Sequence, residues 1–131
     1  MLSPILACSD VEAAIQYYTQ KLSFAHAWSM PPNEQGKTEF ACVKLGDAEI
    51  LIGITEGFVA PADLAKRGIG IQLYIQLSDS TPIDQVYNTA VAQGAAIVRP
   101  LQNRDWGDRA FTVNDADGYQ LMIAQAVRKG A

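Results

Sequence analysis

The sequence predicts an α+β fold in which two tandem βαβββ units form a curved mixed sheet with a concave groove. Two internal echoes and a repeated element order carry this prediction. ILACSDVEAAIQYY near the start is echoed by YIQLSDSTPIDQVY, and FACVKLGDAEILIGI by FTVNDADGYQLMIAQ. Ser9-Asp10 returns as Ser78-Asp79, while Phe40, Gly46-Asp47 and Leu51 return as Phe111, Asp117-Gly118 and Met122, about 70 residues later. Each copy reads as a strand, a helix and three strands. A lone unit of this size would be marginal, so the copies, about 1–56 and 70–127, are expected as halves of one domain spanning 1–131.

Pro4 to Cys8 is short and apolar, as a covered strand would be, with the proline near its beginning. Ser9 is the expected helix cap, answered by Glu12 at the third helical position. Val11, Ala14, Ile15, Tyr18 and Leu22 then recur at three and four residues and make one buried stripe. Ala25 to Met30 reads as a strand with His26 and Trp28 on one face and Ala25, Ala27 and Ser29 on the other. The run from Pro31 to Lys37 is an exposed loop. Thr38 to Lys44 and Glu49 to Ile54 form a hairpin through Gly46-Asp47.

Glu56 to Gly70 is the irregular connector, with a short helical turn at Ala62 to Lys66. Ile71 to Leu77 supplies the next strand. Thr81 is expected to cap the second helix, with Pro82 at the first helical position and Asp84 completing the box. Ile83, Val86, Tyr87, Ala90 and Val91 face inward, and Gly94 ends the helix. Strands at Ala96 to Arg99, Arg109 to Val113 and Tyr119 to Ala126 follow. Asn114-Asp115-Ala116-Asp117-Gly118 lacks the later ligands of a calcium loop and reads as a hairpin turn.

Fourteen acidic against ten basic residues give a formal charge of -4, which argues against a nucleic-acid surface and suits a cationic ligand. Cys8 and Cys42 fall in apolar strand-like runs without a CxxC spacing, so both are expected as buried, reduced thiols. No leader and no run of transmembrane length is present, so a cytoplasmic protein without membrane contact is expected. The apolar fraction of 49% leaves room for a hydrophobic dimer seam.

The duplicated units, the early Ser9-Asp10, Leu22-Ser23-Phe24 and Asp115 to Ile123 together resemble the vicinal oxygen chelate superfamily, which includes glyoxalase I, extradiol dioxygenases and bleomycin-resistance proteins. In its enzymes, the resemblance implies, four strands of the concave face present metal ligands, usually His or Glu. Those positions fall here on Ser3, Leu51, Gln72 and Met122, none of them a histidine or carboxylate. The donor set offers no anion and no imidazole, so no resident metal and no other cofactor is expected. His26, the single histidine, is either a half-exposed strand residue or a base or ligand assisted by Glu39 or Glu49. No nucleophile has a basic partner, so no catalytic residue is assigned.

The run Asp105-Trp106-Gly107-Asp108-Arg109 resembles the proline-tryptophan-glycine-x-arginine run of bleomycin-resistance proteins, with Asp105 replacing the proline. Phe40-Ala41-Cys42-Val43 matches a second motif of that branch. By this resemblance Trp106 and Phe40 would line a groove between the subunits of a homodimer and hold flat rings. Trp106 is otherwise strand-cap packing, and Phe40 plain core. Trp28 either joins the groove or packs in the core or dimer seam. Arg109 either positions Asp108 or a ligand carboxylate, or is a solvated charge, and Asp108 would add negative potential toward a cation. The expected function is non-catalytic sequestration of an aromatic, cationic small molecule or antibiotic. The alternative is glyoxalase-like or dioxygenase-like chemistry at a displaced metal site.

Overall fold

The structure is a computed structural model that describes residues 1–127; residues 128–131 of the expected domain lie outside the described residues. The chain runs β1 (Ile5–Cys8), α1 (Val11–Lys21), β2 (Ala25–Ser29), β3 (Phe40–Leu45), β4 (Ala48–Ile54), a 3-10 helix at Pro61–Lys66, β5 (Gln72–Leu77), α2 (Ile83–Ala92), β6 (Ala96–Asn103), β7 (Asp108–Asn114) and β8 (Gln120–Ala126). The curved mixed sheet of the sequence reading is realised as two four-stranded mixed sheets, ordered β1-β4-β3-β2 and β5-β8-β7-β6. In each, the first and last strands of a unit pair in parallel and the remaining pairs are antiparallel.

Alternation along the strands divides each sheet into two faces. One face of both sheets, with α1 and α2, contributes to a single hydrophobic core that includes Val43 and Ile52 from the first unit and Phe111 and Ile123 from the second. The opposite, open faces carry Phe40, Cys42 and Leu51 on the first sheet, and Tyr74, Asp108 and Met122 on the second.

The α1 stripe is buried at Val11, Ala14, Tyr18 and Leu22, and Phe24 meets Tyr18 edge to face at a centroid distance of 5.0 Å. The helix is capped by Asp10 rather than by the expected Ser9: the Asp10 carboxylate accepts from Ala13 N at 3.0 Å. The Ser9 amide is committed instead to Asp117 Oδ1 at 2.9 Å, and Glu12 accepts from Thr38 N. Thr81 likewise does not cap α2. Pro82 occupies the cap position without a side-chain bond, and Gln125 of β8 substitutes, accepting from Ile83 N at 3.1 Å while donating to the carbonyls of Ser78 and Thr81.

Two strands differ instructively from their expected form. β6 continues past Arg99 to Asn103, because it lies at the sheet edge, where the missing donor of Pro100 breaks no essential ladder bond. In β2 a register shift between His26 and Trp28 pairs His26 with Val43 and Trp28 with Cys42. Cross-strand partners share a face, so this bulge sends His26 toward the helix side and Trp28 to the open side. The shared face expected for them is corrected accordingly.

The units are tied by the turn between β7 and β8. Asp115 is buried and accepts from the amides of Asp117 and Tyr119 and, at 2.7 Å, from the Tyr18 hydroxyl of α1. Tyr17 donates to Asn114 O at 2.7 Å and accepts from Ala96 N, while the Tyr119 hydroxyl meets both backbone polar groups of Ala7. Arg67, from the connector, pairs with Asp117 at 2.8 Å and also donates to Ala7 O.

Removing the carboxylate strands the buried Tyr18 hydroxyl, so Asp115→Ala should lower unfolding free energy by about 1–3 kcal/mol in urea titrations. Tyr18→Phe should cost a similar amount, about 1–3 kcal/mol, because both amides bond Oδ1 and the buried Oδ2 loses the Tyr18 proton. Burial raises the Asp115 pKa, opposed by its hydrogen bonds. A raised carboxyl pKa means that the folded state holds the proton more tightly, so its stabilising share declines as pH rises through the folded value. From about pH 4 upward, the stability of an Asp115→Asn variant should therefore rise relative to the native chain, as read from chemical denaturation across pH.

Candidate functional site

On the first sheet, the bulge in β2 brings Trp28 over Phe40, with ring centroids 5.9 Å apart and planes tilted by 36°. Phe40 lies above Gly53, its direct partner on β4. A Cβ at that glycine would stand 3.3 Å from Phe40 Cδ2, so the absent side chain lets the ring rest on the sheet. Phe40 is half-buried and Trp28 is 42% exposed, which makes them a partly open aromatic platform. Leu51 continues its apolar floor, opposite Cys42 and beside Ile5.

The second sheet presents a polar counterpart. Tyr74 of β5 donates its hydroxyl proton to Asp108 at the start of β7, and the Trp106 indole N–H donates to the same hydroxyl at 3.3 Å. Gln76 makes a long contact of 3.4 Å to the other Asp108 oxygen. Trp106 is 58% exposed, whereas Asp108 is 9% exposed. Burial, followed by the bond to Asp108, raises the Tyr74 pKa and keeps the phenol protonated, with the Trp106 bond opposing in part.

The candidate residues therefore divide between two surfaces. Trp28, Phe40 and Leu51 gather on one; Trp106, Asp108, Gln72 and Met122 gather around Tyr74 on the other, with Met122 directly opposite it in the ladder. Ser3 lies in the segment entering β1. Its neighbours Leu2 and Pro4 line a cavity of about 390 Å³ together with Glu49, Gln72 and Tyr74. Arg109 does not join Asp108. Adjacent strand residues point to opposite faces, and its guanidinium pairs with Asp84 of α2 at 3.0 Å. Its assignment to the groove is corrected. Asp108 consequently has neutral hydrogen-bond donors but no ion-pair partner among the described residues.

His26 is exposed and bonded to Ser29 at 2.6 Å, away from the aromatic platform. Neither acid proposed as its helper reaches it: Glu39 accepts from Asn33 and Glu49 pairs with Lys44. Cys8 and Cys42 are free and buried, and burial raises both thiol pKa values. Tyr74 is the residue that sequence reasoning missed. Its position two residues beyond Gln72 on an alternating strand was the available signal.

The four positions to which the resemblance assigns metal ligands do not fit a divalent cation. Leu51 offers no donor, Met122 only a soft thioether, and Ser3 and Gln72 only neutral polar groups. The Gln72 amide also donates to Gln120 Oε1 at 2.7 Å. Among the described residues, no group of three or more His, Cys, Asp or Glu side chains is placed to hold a metal.

A family model described as the Glyoxalase/Bleomycin resistance protein/Dioxygenase superfamily matches residues 2–123. An uncharacterised protein of Mycobacterium bovis is 25% identical over 134 residues, covering 98% of this chain and 84% of its own length. Among solved structures, TioX from Micromonospora sp. ML1 superposes with a TM-score of 0.75 at 22% identity, covering 100% of this chain and 99% of its own. A superfamily member from Sphaerobacter thermophilus gives a TM-score of 0.67 at 22% identity, with 94% of each chain covered. With its duplicated βαβββ order and a family match spanning most of its length, the chain belongs to the Glyoxalase/Bleomycin resistance protein/Dioxygenase superfamily.

Proposed function

We propose that the protein binds a flat aromatic small molecule that carries positive charge, encloses it and releases it chemically unchanged. The observation that carries this reading is the pair of partly exposed aromatic surfaces on the open faces of the two sheets. Trp28 and Phe40 form a platform where a ring can stack, and the exposed Trp106 indole, bonded to Tyr74, offers a second ring beside Asp108, a carboxylate with no ion-pair partner among the described residues. Rigid rings offer broad contact at low entropic cost, and their faces attract cations. Asp108 supplies the complementary charge.

The two aromatic surfaces lie on different sheets, each turned away from the shared core. A groove using both would arise when two copies pair and the open face of one first sheet meets the open face of the other's second sheet. The protein is therefore proposed to act as a homodimer, with the ligand held at the seam.

Titration with 9-aminoacridine, cationic at neutral pH, should quench tryptophan fluorescence saturably, while neutral acridine should bind more weakly. Trp106→Ala should weaken 9-aminoacridine at least roughly tenfold, since a central aromatic anchor contributes about 2 kcal/mol or more. Its half-exposed site should keep the urea midpoint close to native. A large loss of stability with unchanged affinity would assign Trp106 to packing.

Elemental analysis of the purified protein addresses the enzymatic reading. Metal well below stoichiometry is expected; near-stoichiometric nickel, zinc, iron or manganese would overturn the binding proposal in favour of a displaced metal centre.

A further inference from the structure

We propose that Tyr74 is a positioning residue: it sets the plane of the Trp106 indole by anchoring it, through one hydroxyl, to the fixed carboxylate of Asp108. The proposal rests on the reading of Trp106 as a ligand-stacking ring.

Trp106 needs such an anchor. It sits in the short turn from Arg104 to Gly107, closed by a bond from Gly107 N to Arg104 O, and Gly107 has a φ of 99°. More than half of its surface is exposed, and its indole N–H is a donor with no acceptor capacity of its own. The Tyr74 oxygen is that acceptor at 3.3 Å.

The direction of the chain of bonds follows from the groups. An ionised carboxylate only accepts, so Tyr74 donates to Asp108 and turns its oxygen lone pairs toward Trp106. Donation to a charged acceptor polarises the phenol and strengthens the bond its oxygen accepts. Asp108 is a suitable base for this relay because it is nearly buried and held in register opposite Ala126. The raised Tyr74 pKa is consistent with a phenol that stays a donor. Phenylalanine at position 74 would retain the ring and remove both hydrogen bonds.

The test uses the two-tryptophan content of the chain. In a Trp28→Phe background Trp106 is the sole tryptophan, and its time-resolved anisotropy, excited at the red edge where tyrosine absorbs little, reports local motion without any ligand. Tyr74→Phe is expected to introduce a fast depolarising component. Asp108→Ala, which does not contact the indole directly, should produce the same component, and Asp108→Asn, which keeps an acceptor oxygen, should restore the slow decay. In the native background, Tyr74→Phe should weaken 9-aminoacridine by roughly 2- to 10-fold, the range of one net hydrogen bond. Unchanged Trp106 anisotropy in Tyr74→Phe, with an unchanged circular dichroism spectrum, would overturn the proposal. Failure of the native protein to bind 9-aminoacridine counts against the function proposed above, while the anisotropy still decides the positioning role.

Discussion

A carboxylate buried between two structural units must be satisfied from both of them. Asp115 receives amide protons from its own turn and the Tyr18 hydroxyl from the opposite unit, so its low-dielectric site remains tolerable only while α1 stays docked. Tyr18 also belongs to the α1 stripe, which means that the polar bond and the hydrophobic burial demand the same helix orientation. Tyr17, Tyr119 and Arg67 extend the constraint to the backbone at Asn114, Ala96 and Ala7. The second sheet, the first strand and the connector are thereby referred to one point.

That docking determines what the sheets can offer. Because both helix-bearing faces are spent on one core, the opposite faces are free to carry recognition groups. On the first, the missing side chain of Gly53 gives Phe40 its resting place, and a one-residue bulge delivers Trp28 to it. On the second, alternation separates Asp108 from Arg109 and leaves the carboxylate facing Tyr74 while the guanidinium meets Asp84. A single strand thus turns a carboxylate toward the open face and a guanidinium toward the helix layer. Their charges do not cancel locally.

The element order was legible in the sequence because its signals were local: the stripe from Val11 to Leu22, the paired glycine turns and the echo between the units. The caps were less legible. Ser9 and Thr81 satisfy the local pattern for a cap, yet the Ser9 amide is drawn to Asp117, and Gln125, more than forty residues from Ile83, replaces the second capping box. Strand alternation failed at His26 and Trp28 because a bulge resets the register, which a reading of one strand without its partner does not contain. Trp106, Phe40 and Asp108 were visible as chemistry-bearing residues. Tyr74 was not, since its role exists only where β5 comes near the turn preceding β7.

The duplication suggests halves that could mature one after the other, but the bonds at Ala7 impose a different order of events. Its amide and carbonyl both meet the hydroxyl of Tyr119, across almost the whole length of the chain. During synthesis the first unit leaves the ribosome with that edge of β1 unfinished, and it stays so until the last hairpin appears. Such long-range closure places completion of the first unit late in folding. The repeat is therefore symmetrical in space and asymmetrical in time: the half made first waits for the last hairpin of the half made second.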